Sequence, residues 1–168
     1  MTEDEIYSAV VRWFAATTGV TFIRAHEDGD RPTGVYGAVN HTGTVEVREH
    51  PQQTFWVRNP DGPGGESNRS IATPLIETEW QYSVHVYGIG CADVFRPVRS
   101  AFHLSQANEP LLPNLVIFDI SQVRKVPEYV NEQWEDRAQM DFRVRGLTRD
   151  GILQDTIETY SFDIARFN

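Results

Sequence analysis

Two stretches of strict alternation set the terms for any fold this chain can adopt. In the first, Ala138, Met140, Phe142 and Val144 share one parity, with Trp134 leading in on the same side. Arg137, Gln139, Asp141, Arg143 and Arg145 occupy the other parity. In the second, Ile76, Thr78, Trp80, Tyr82, Val84 and Val86 alternate with Glu77, Glu79, Gln81, Ser83, His85 and Tyr87. Successive strand side chains point to opposite faces, so each stretch reads as a long strand covered on one side and wet on the other. A register slip of one residue would turn the whole apolar set to solvent, which pins the pairing.

Something must cover the apolar faces, and two segments have helical spacing. Residues 2–18 open with Thr2 and Glu5 in capping-box positions, and Glu3 and Asp4 suit the positive end of a helix dipole. Ile6, Ala9, Val10, Trp13, Phe14 and Thr17 then form one stripe, and Gly19 is a natural stop. A second helix is predicted over about 91–104 from Cys91, Val94, Phe95, Val98 and Phe102. Pro97 is tolerated only in a first turn, so this helix either begins near Asp93 or is kinked.

Shorter strands are predicted at Val20 to Ala25 and at Leu115 to Ile120, with an extended run at Thr54 to Arg58. The stretch from Val35 to Arg48 holds two strand-like pieces around a turn at Asn40 to Gly43. Thr148 to Gly151 carries a hairpin signal, after which Ile152 to Ile164 returns with Tyr160, Phe162 and Ile164 facing inward. Between the strands, the glycines and prolines from residue 59 to about 74 predict a mobile loop. The fold class is therefore α+β: a single domain over residues 1–168 with one mostly antiparallel sheet and two helices packed on one face.

Composition narrows the function. With 24 acids against 15 Lys and Arg, the chain has a formal net charge of −9 and should repel nucleic acid. Lys125 is the single lysine, so the cations are almost all arginines, whose planar forks suit carboxylates. No apolar run is long enough to span a membrane. The first residues are acidic where a secretory signal would be basic, and Cys91 stands alone, so folding inside the cell is expected.

No enzyme signature emerges. His26, His41, His50, His85 and His103 show no metal-ligand spacing, and no nucleophile elbow is present. The glycine-rich loop lacks the Gly-Lys-Ser/Thr of a phosphate loop. Glu135 and Asp136 are strand neighbours that point apart, and a lone Cys91 on an apolar helical face reads as a small core residue. No cofactor or metal is expected, and no catalytic residue is assigned.

At Val126 to Arg145 a resemblance enters. The run Val-Pro-Glu-Tyr-Val-Asn-Glu-Gln-Trp-Glu-Asp-Arg-Ala-Gln-Met-Asp-Phe-Arg-Val-Arg resembles the C-terminal strand signature of tailed-phage neck or tail terminator proteins. The leading helix, the Gly-Val-x-Phe-Ile strand after it, and the Tyr87-Gly88 strand end are similar to that family too, so the resemblance covers nearly the whole chain. It implies a structural virion protein of the tail or neck, assembled in the host cytoplasm. Its subunits would form a homohexameric ring on the last tail-tube layer, end tube growth and present the surface that joins the head. The implied partners are tail-tube protein and a head-completion or stopper protein, with genomic DNA passing through the lumen unbound.

Within that picture Arg137, Arg143 and Arg145 are candidate subunit-interface residues that meet carboxylates of a neighbour. Glu158 or Asp155 of the same sheet are the competing partners. Asp61, Gly64, Glu66 and Arg69 are candidate docking residues on the long loop. The rival readings are a head-completion or stopper connector, and a small ligand-binding α+β domain with convergent polar groups in a pocket.

Overall fold

A computed structural model describes residues 2–26, 31–58, 69–111, 113–130 and 133–155. The chain gathers into two compact units, Met1–Val47 with Glu77–Leu147 and Arg48–Ile76 with Thr148–Asn168.

The larger unit carries the core. Its first helix, α1 (Glu3–Thr18), forms with the predicted cap: the Thr2 N–H donates to Glu5 Oε2 at 2.7 Å and the Glu5 N–H to Thr2 Oγ1 at 3.3 Å. Gly19 closes it at φ 70°, a left-handed conformation that glycine adopts without a Cβ penalty. Strand β1 (Phe22–Arg24) follows and lies beside β2 (Tyr36–Glu46). Beyond β3 (Gln53–Arg58) comes β4 (Arg69–Tyr87), which passes into the larger unit after Ile76. Helix α2 (Phe95–Phe102), a 3-10 segment (Ser105–Leu111), β5 (Leu115–Ile120) and β6 (Arg124–Lys125) come next. A small hairpin, β7 (Glu128–Val130) and β8 (Gln133–Glu135), then precedes β9 (Arg137–Arg149).

The sheet order is β1-β2-β4-β9-β5, with β6 also on β9. Contacts between β4 and β9 run in opposite chain order: the Gly88 N–H reaches the Asp136 carbonyl, Ser83 meets Asp141, and Glu79 meets Arg145. The central pair is therefore antiparallel, as are β2 with β4 and β5 with β9. The exception to the antiparallel expectation is β1 with β2, which pair in parallel from Phe22↔Gly37 to Arg24↔Val39.

The apolar parities of the two long strands meet the helices. Trp80, Tyr82, Val84 and Val86 of β4 and Ala138, Met140, Phe142 and Val144 of β9 are buried with Ile6, Val10, Trp13 and Phe14 of α1 and Phe95 and Val98 of α2. Phe142 is the hub, its ring 4.8 Å from Phe14 and 5.3 Å from Trp13 between centroids. The Trp13 indole N–H, which burial would otherwise leave unpaired, donates to the Ala107 carbonyl at 2.7 Å and so ties α1 to the 3-10 segment.

Several expectations need correction. Helix α2 is shorter than 91–104, and Pro97 sits third in it, where its missing N–H costs nothing. The 3-10 segment is a third helical piece, built around Pro110. The turn expected at Asn40 to Gly43 is a bulge inside one continuous β2: pairing shifts between His41 and Gly43, and the Thr42 hydroxyl donates to the Gln81 carbonyl at 3.0 Å. Both halves of β2 lie along the same β4, which leaves no room for a reversal. Trp134 lies on β8, not on β9, and is 71% exposed.

In the smaller unit β3 pairs with β4 from Gln53↔Leu75 to Arg58↔Ser70, so β4 begins before Leu75 and the loop ends by Arg69 rather than near 74. The hairpin expected at Thr148 to Gly151 does not form as read: β10 (Ile152–Asp155) pairs antiparallel with β4, from Ile152↔Ala72 to Asp155↔Arg69. Thr148 near the end of β9 bonds the Ile76 carbonyl and Ile152 pairs with Ala72, so the chain runs on along β4 instead of reversing. Tyr160, Phe162 and Ile164 lie outside the described residues.

Close packing of β9 on β5 yields a test. A Cβ at Gly146 would sit 2.5 Å from the Asn114 carbonyl oxygen and 3.2 Å from the Trp80 ring. Gly146→Ala is expected to lower unfolding stability by about 1–3 kcal/mol, read by chemical denaturation, because backbone must move to admit it.

Candidate functional site

The helices cover one face of the larger unit's sheet. The opposite parities of β4 and β9 form a second face, on which no helix lies among the described residues. Charge dominates its centre. Arg145 Nε donates to Glu79 Oε2 at 2.9 Å, its terminal nitrogen is 3.8 Å from Glu77, and Arg143 stands 3.9 Å from Glu79. Gln81 adds a hydrogen bond to Glu79 Oε1 at 3.1 Å. Glu79 is thereby 7% exposed although no described helix covers it. Burial alone would raise its pKa, but the hydrogen bonds from Arg145 and Gln81 and the charges of Arg145 and Arg143 outweigh that and hold it below the ordinary glutamate value. The Arg145 guanidinium also lies 3.2 Å from the centroid of the Phe118 ring, a cation–π contact.

Higher on the same face the polar groups form a ladder. Arg124 pairs with Asp141 at 2.7 Å, Ser83 donates to Asp141 at 3.4 Å, and Gln139 donates to Ser83 at 2.8 Å. Arg137 reaches back to Glu128 of β7 at 2.7 Å, and Arg31 bonds Glu135 of β8 at 3.2 Å. These two pairs hold the β7–β8 hairpin. His85 lies beneath this region with Nδ1 buried and unpaired; burial first, then the Arg137 charge, keep its pKa below the usual histidine value. The charged centre is flanked by exposed apolar residues, Val45, Val116, Phe118 and Leu147.

Arg137, Arg143 and Arg145 thus share one face, as their parity requires. Each has a carboxylate within its own chain, but those are Glu128, Glu79 and Glu77, all missed by sequence reasoning. The signal existed: setting the two alternating strands side by side puts Glu77 and Glu79 on the arginines' face. Asp155, the partner considered instead, bonds Arg69 at 2.6 Å in the smaller unit, and Glu158 lies outside the described residues. Of the docking residues, Arg69 is the first residue of β4, while Asp61, Gly64 and Glu66 lie outside the described residues.

Cys91 is buried, and burial, followed by the nearby charge of Asp136, pushes its thiol pKa up, which disfavours the nucleophilic thiolate. It borders a pocket of about 180 Å³ with Asp93, Lys125, Asp136 and Arg137, smaller than ordinary small-molecule sites. Among the described residues no group of three His, Cys, Asp or Glu is placed to hold a metal ion. No described helix is long and apolar enough to cross a membrane.

A sheet with one face packed and the other a mosaic of ion pairs and exposed apolar groups suits a protein that stacks against other proteins. The comparison with known families agrees. A family described as phage neck terminator protein matches residues 4–168. The chain belongs to that family. The resemblance read at Val126 to Arg145 therefore holds for the whole chain.

Among solved structures, the sheath/tube terminator of an extracellular contractile injection system, PVC, in its extended state, overlays with a TM-score of 0.54 at 10% identity and covers 100% of this chain. The present chain spans 65% of that longer one, so the likeness is one of fold. A second solved chain, 12% identical and covering 94% of this one and 99% of its own length, reaches a TM-score of only 0.31 and carries no argument. No curated protein matches by sequence.

The Glu79 pair gives this terminator a pH signature. A folded pKa held below the unfolded glutamate value of about 4.3 means the ionised group contributes stability above that value and loses it as pH falls through the folded pKa. Glu79→Gln should cost about 1 kcal/mol near neutrality, and the gap from the wild type should close on acidification from about pH 6 to pH 3, measured by urea titration at each pH.

Proposed function

We propose that this terminator is a structural, non-enzymatic virion subunit of the phage neck. It forms a ring on the last layer of the tail tube, ends tube polymerisation there and presents the surface that joins the head. The observation that carries the reading is the match of residues 4–168 to the neck terminator family. The solved neighbour of similar fold is itself described as a sheath/tube terminator.

Ring formation needs a surface that recognises another subunit, and the uncovered sheet face has the composition for it. Arg137, Arg143 and Arg145 are placed to exchange or share carboxylates with a neighbour, because each keeps part of its guanidinium open beside its own ion pair. A homohexamer of subunits with a charge of −9 would enclose an acidic lumen, past which DNA slides by phosphate repulsion. The loop bearing Asp61, Gly64 and Glu66 is assigned to docking on the tube or on the head-side connector, since a long loop in a compact protein is often functional.

Light scattering across a concentration series, alone and with tail-tube protein, tests the proposal. A discrete ring mass in either condition is expected; a monomer that ignores the tube would overturn it, and binding to the head-side complex in place of the tube would make the protein a stopper. Substituting Arg137, Arg143 and Arg145 by glutamine should weaken assembly by about tenfold or more while leaving a cooperative melt, as expected for lost interfacial pairs. Deleting the loop between residues 59 and 68 should abolish joining without unfolding the subunit.

A further inference from the structure

Apolar surface in the smaller unit is left open. Among its described residues only Ala72 and Leu75 are buried, while Trp56, Val57 and Ile152 are 63%, 60% and 59% exposed. Trp56 and Ile152 belong to one row: β3 and β10 flank β4 there, and both residues pair with Ala72. Directly paired residues point to the same side of a sheet, so the row runs large, small, large. Along β4 the same side carries Ser70 and Pro74. Small residues on the central strand between Trp56 and Ile152 make a shallow channel with apolar walls. An exposed apolar surface of this kind marks a contact with another protein segment.

The chain carries a segment of matching chemistry. Residues 156–168, outside the described residues, read Thr-Ile-Glu-Thr-Tyr-Ser-Phe-Asp-Ile-Ala-Arg-Phe-Asn. Tyr160, Phe162 and Ile164 share one parity and belong to one side of an extended segment. The channel of its own copy is poorly placed to receive it. Strand β10 runs from Ile152 opposite Ala72 to Asp155 opposite Arg69, where Arg69 Nε donates to Asp155 Oδ1 at 2.6 Å. It therefore ends heading away from the Trp56 row. Returning to that row before Tyr160 takes a tight reversal, and no Gly or Pro occurs from 156 to 168 to make one. Thirteen extended residues reach roughly 45 Å, far enough for a neighbouring copy.

We propose that residues 156–168 of one copy lie along the channel of the next copy, with Tyr160, Phe162 and Ile164 seated between Trp56 and Ile152. This rests on the ring reading above and adds to it a contact in the smaller unit, separate from the arginines on the larger unit's sheet. Every copy gives one segment and receives one. The contact is head-to-tail, and closure of the series makes a ring.

Two variants of the full chain test it by light scattering, in whichever condition the wild type assembles. Trp56→Ser/Ile152→Ser keeps the segment and spoils the channel, whereas Tyr160→Ser/Phe162→Ser keeps the channel and spoils the segment. Each alone is expected to raise the half-assembly concentration about tenfold or more, because buried aromatic anchors carry much of a contact. Each should also keep the wild-type melting curve, since the apolar groups removed meet a neighbour and not their own copy. An equimolar mixture pairs an intact segment with an intact channel, so it should give a two-subunit species at concentrations where either variant alone is a monomer.

Variants that assemble like the wild type, or a mixture that stays monomeric, would overturn this contact and leave the ring reading standing. A lowered melting temperature in Tyr160→Ser/Phe162→Ser, with no recovery in the mixture, would place the segment on its own copy and overturn the exchange. A wild type that stays monomeric with and without tail-tube protein would overturn both.

Discussion

The antiparallel pairing of β4 with β9 is the constraint on which the larger unit depends. Their even-numbered residues form the floor of the core, where Phe142 meets Trp13 and Phe14 and excludes water from the sheet. Burial of that apolar surface is the dominant stabilising term, and the pairing delivers it to one side only. The same backbone hydrogen bonds that align the apolar rows also align the odd-numbered rows. Glu79 stands by Arg145 and Ser83 by Asp141 because the core register leaves no other choice.

That coupling explains how a strongly acidic chain keeps a stable polar face without an apolar cover. A carboxylate as enclosed as Glu79 would be costly if left alone. Here arginines and Gln81 provide both the charge and the hydrogen bonds, and the enclosing atoms are largely those of the pairing groups. Such a face differs from an ordinary wet sheet surface. Its central groups are ordered before any partner arrives, which lowers the entropy lost on association, while Val116, Phe118, Val45 and Leu147 at its margin offer apolar area.

On the larger unit the helices carry exposed Arg12, Arg96 and Arg99, and the opposite sheet face carries ion pairs flanked by exposed apolar groups. The hairpin of β7 and β8 adds a further exposed pair, Tyr129 and Trp134, with ring centroids 5.2 Å apart. It lies in the segment whose Trp-Glu-Asp-Arg-Ala run is the most distinctive of the sequence.

Local rules carried much of the fold. Alternation identified both long strands and their inward faces, because a period of two leaves one face per parity. The cap at Thr2 and Glu5, the stop at Gly19 and the stripe of α1 depend on neighbours within a turn, so the sequence alone determined them too. It also determined that Arg137, Arg143 and Arg145 share a face. What tertiary structure decided was every choice between partners distant in the chain. The bulge at Thr42 reads as a turn until β4 is known to run past both halves of β2, and the apparent hairpin at Asp150 and Gly151 fails because β10 runs on along β4 after β9. Trp134 has core parity in the sequence but stands exposed on β8. Glu77 and Glu79 became the arginines' partners because strand order, which no local pattern encodes, put β4 beside β9.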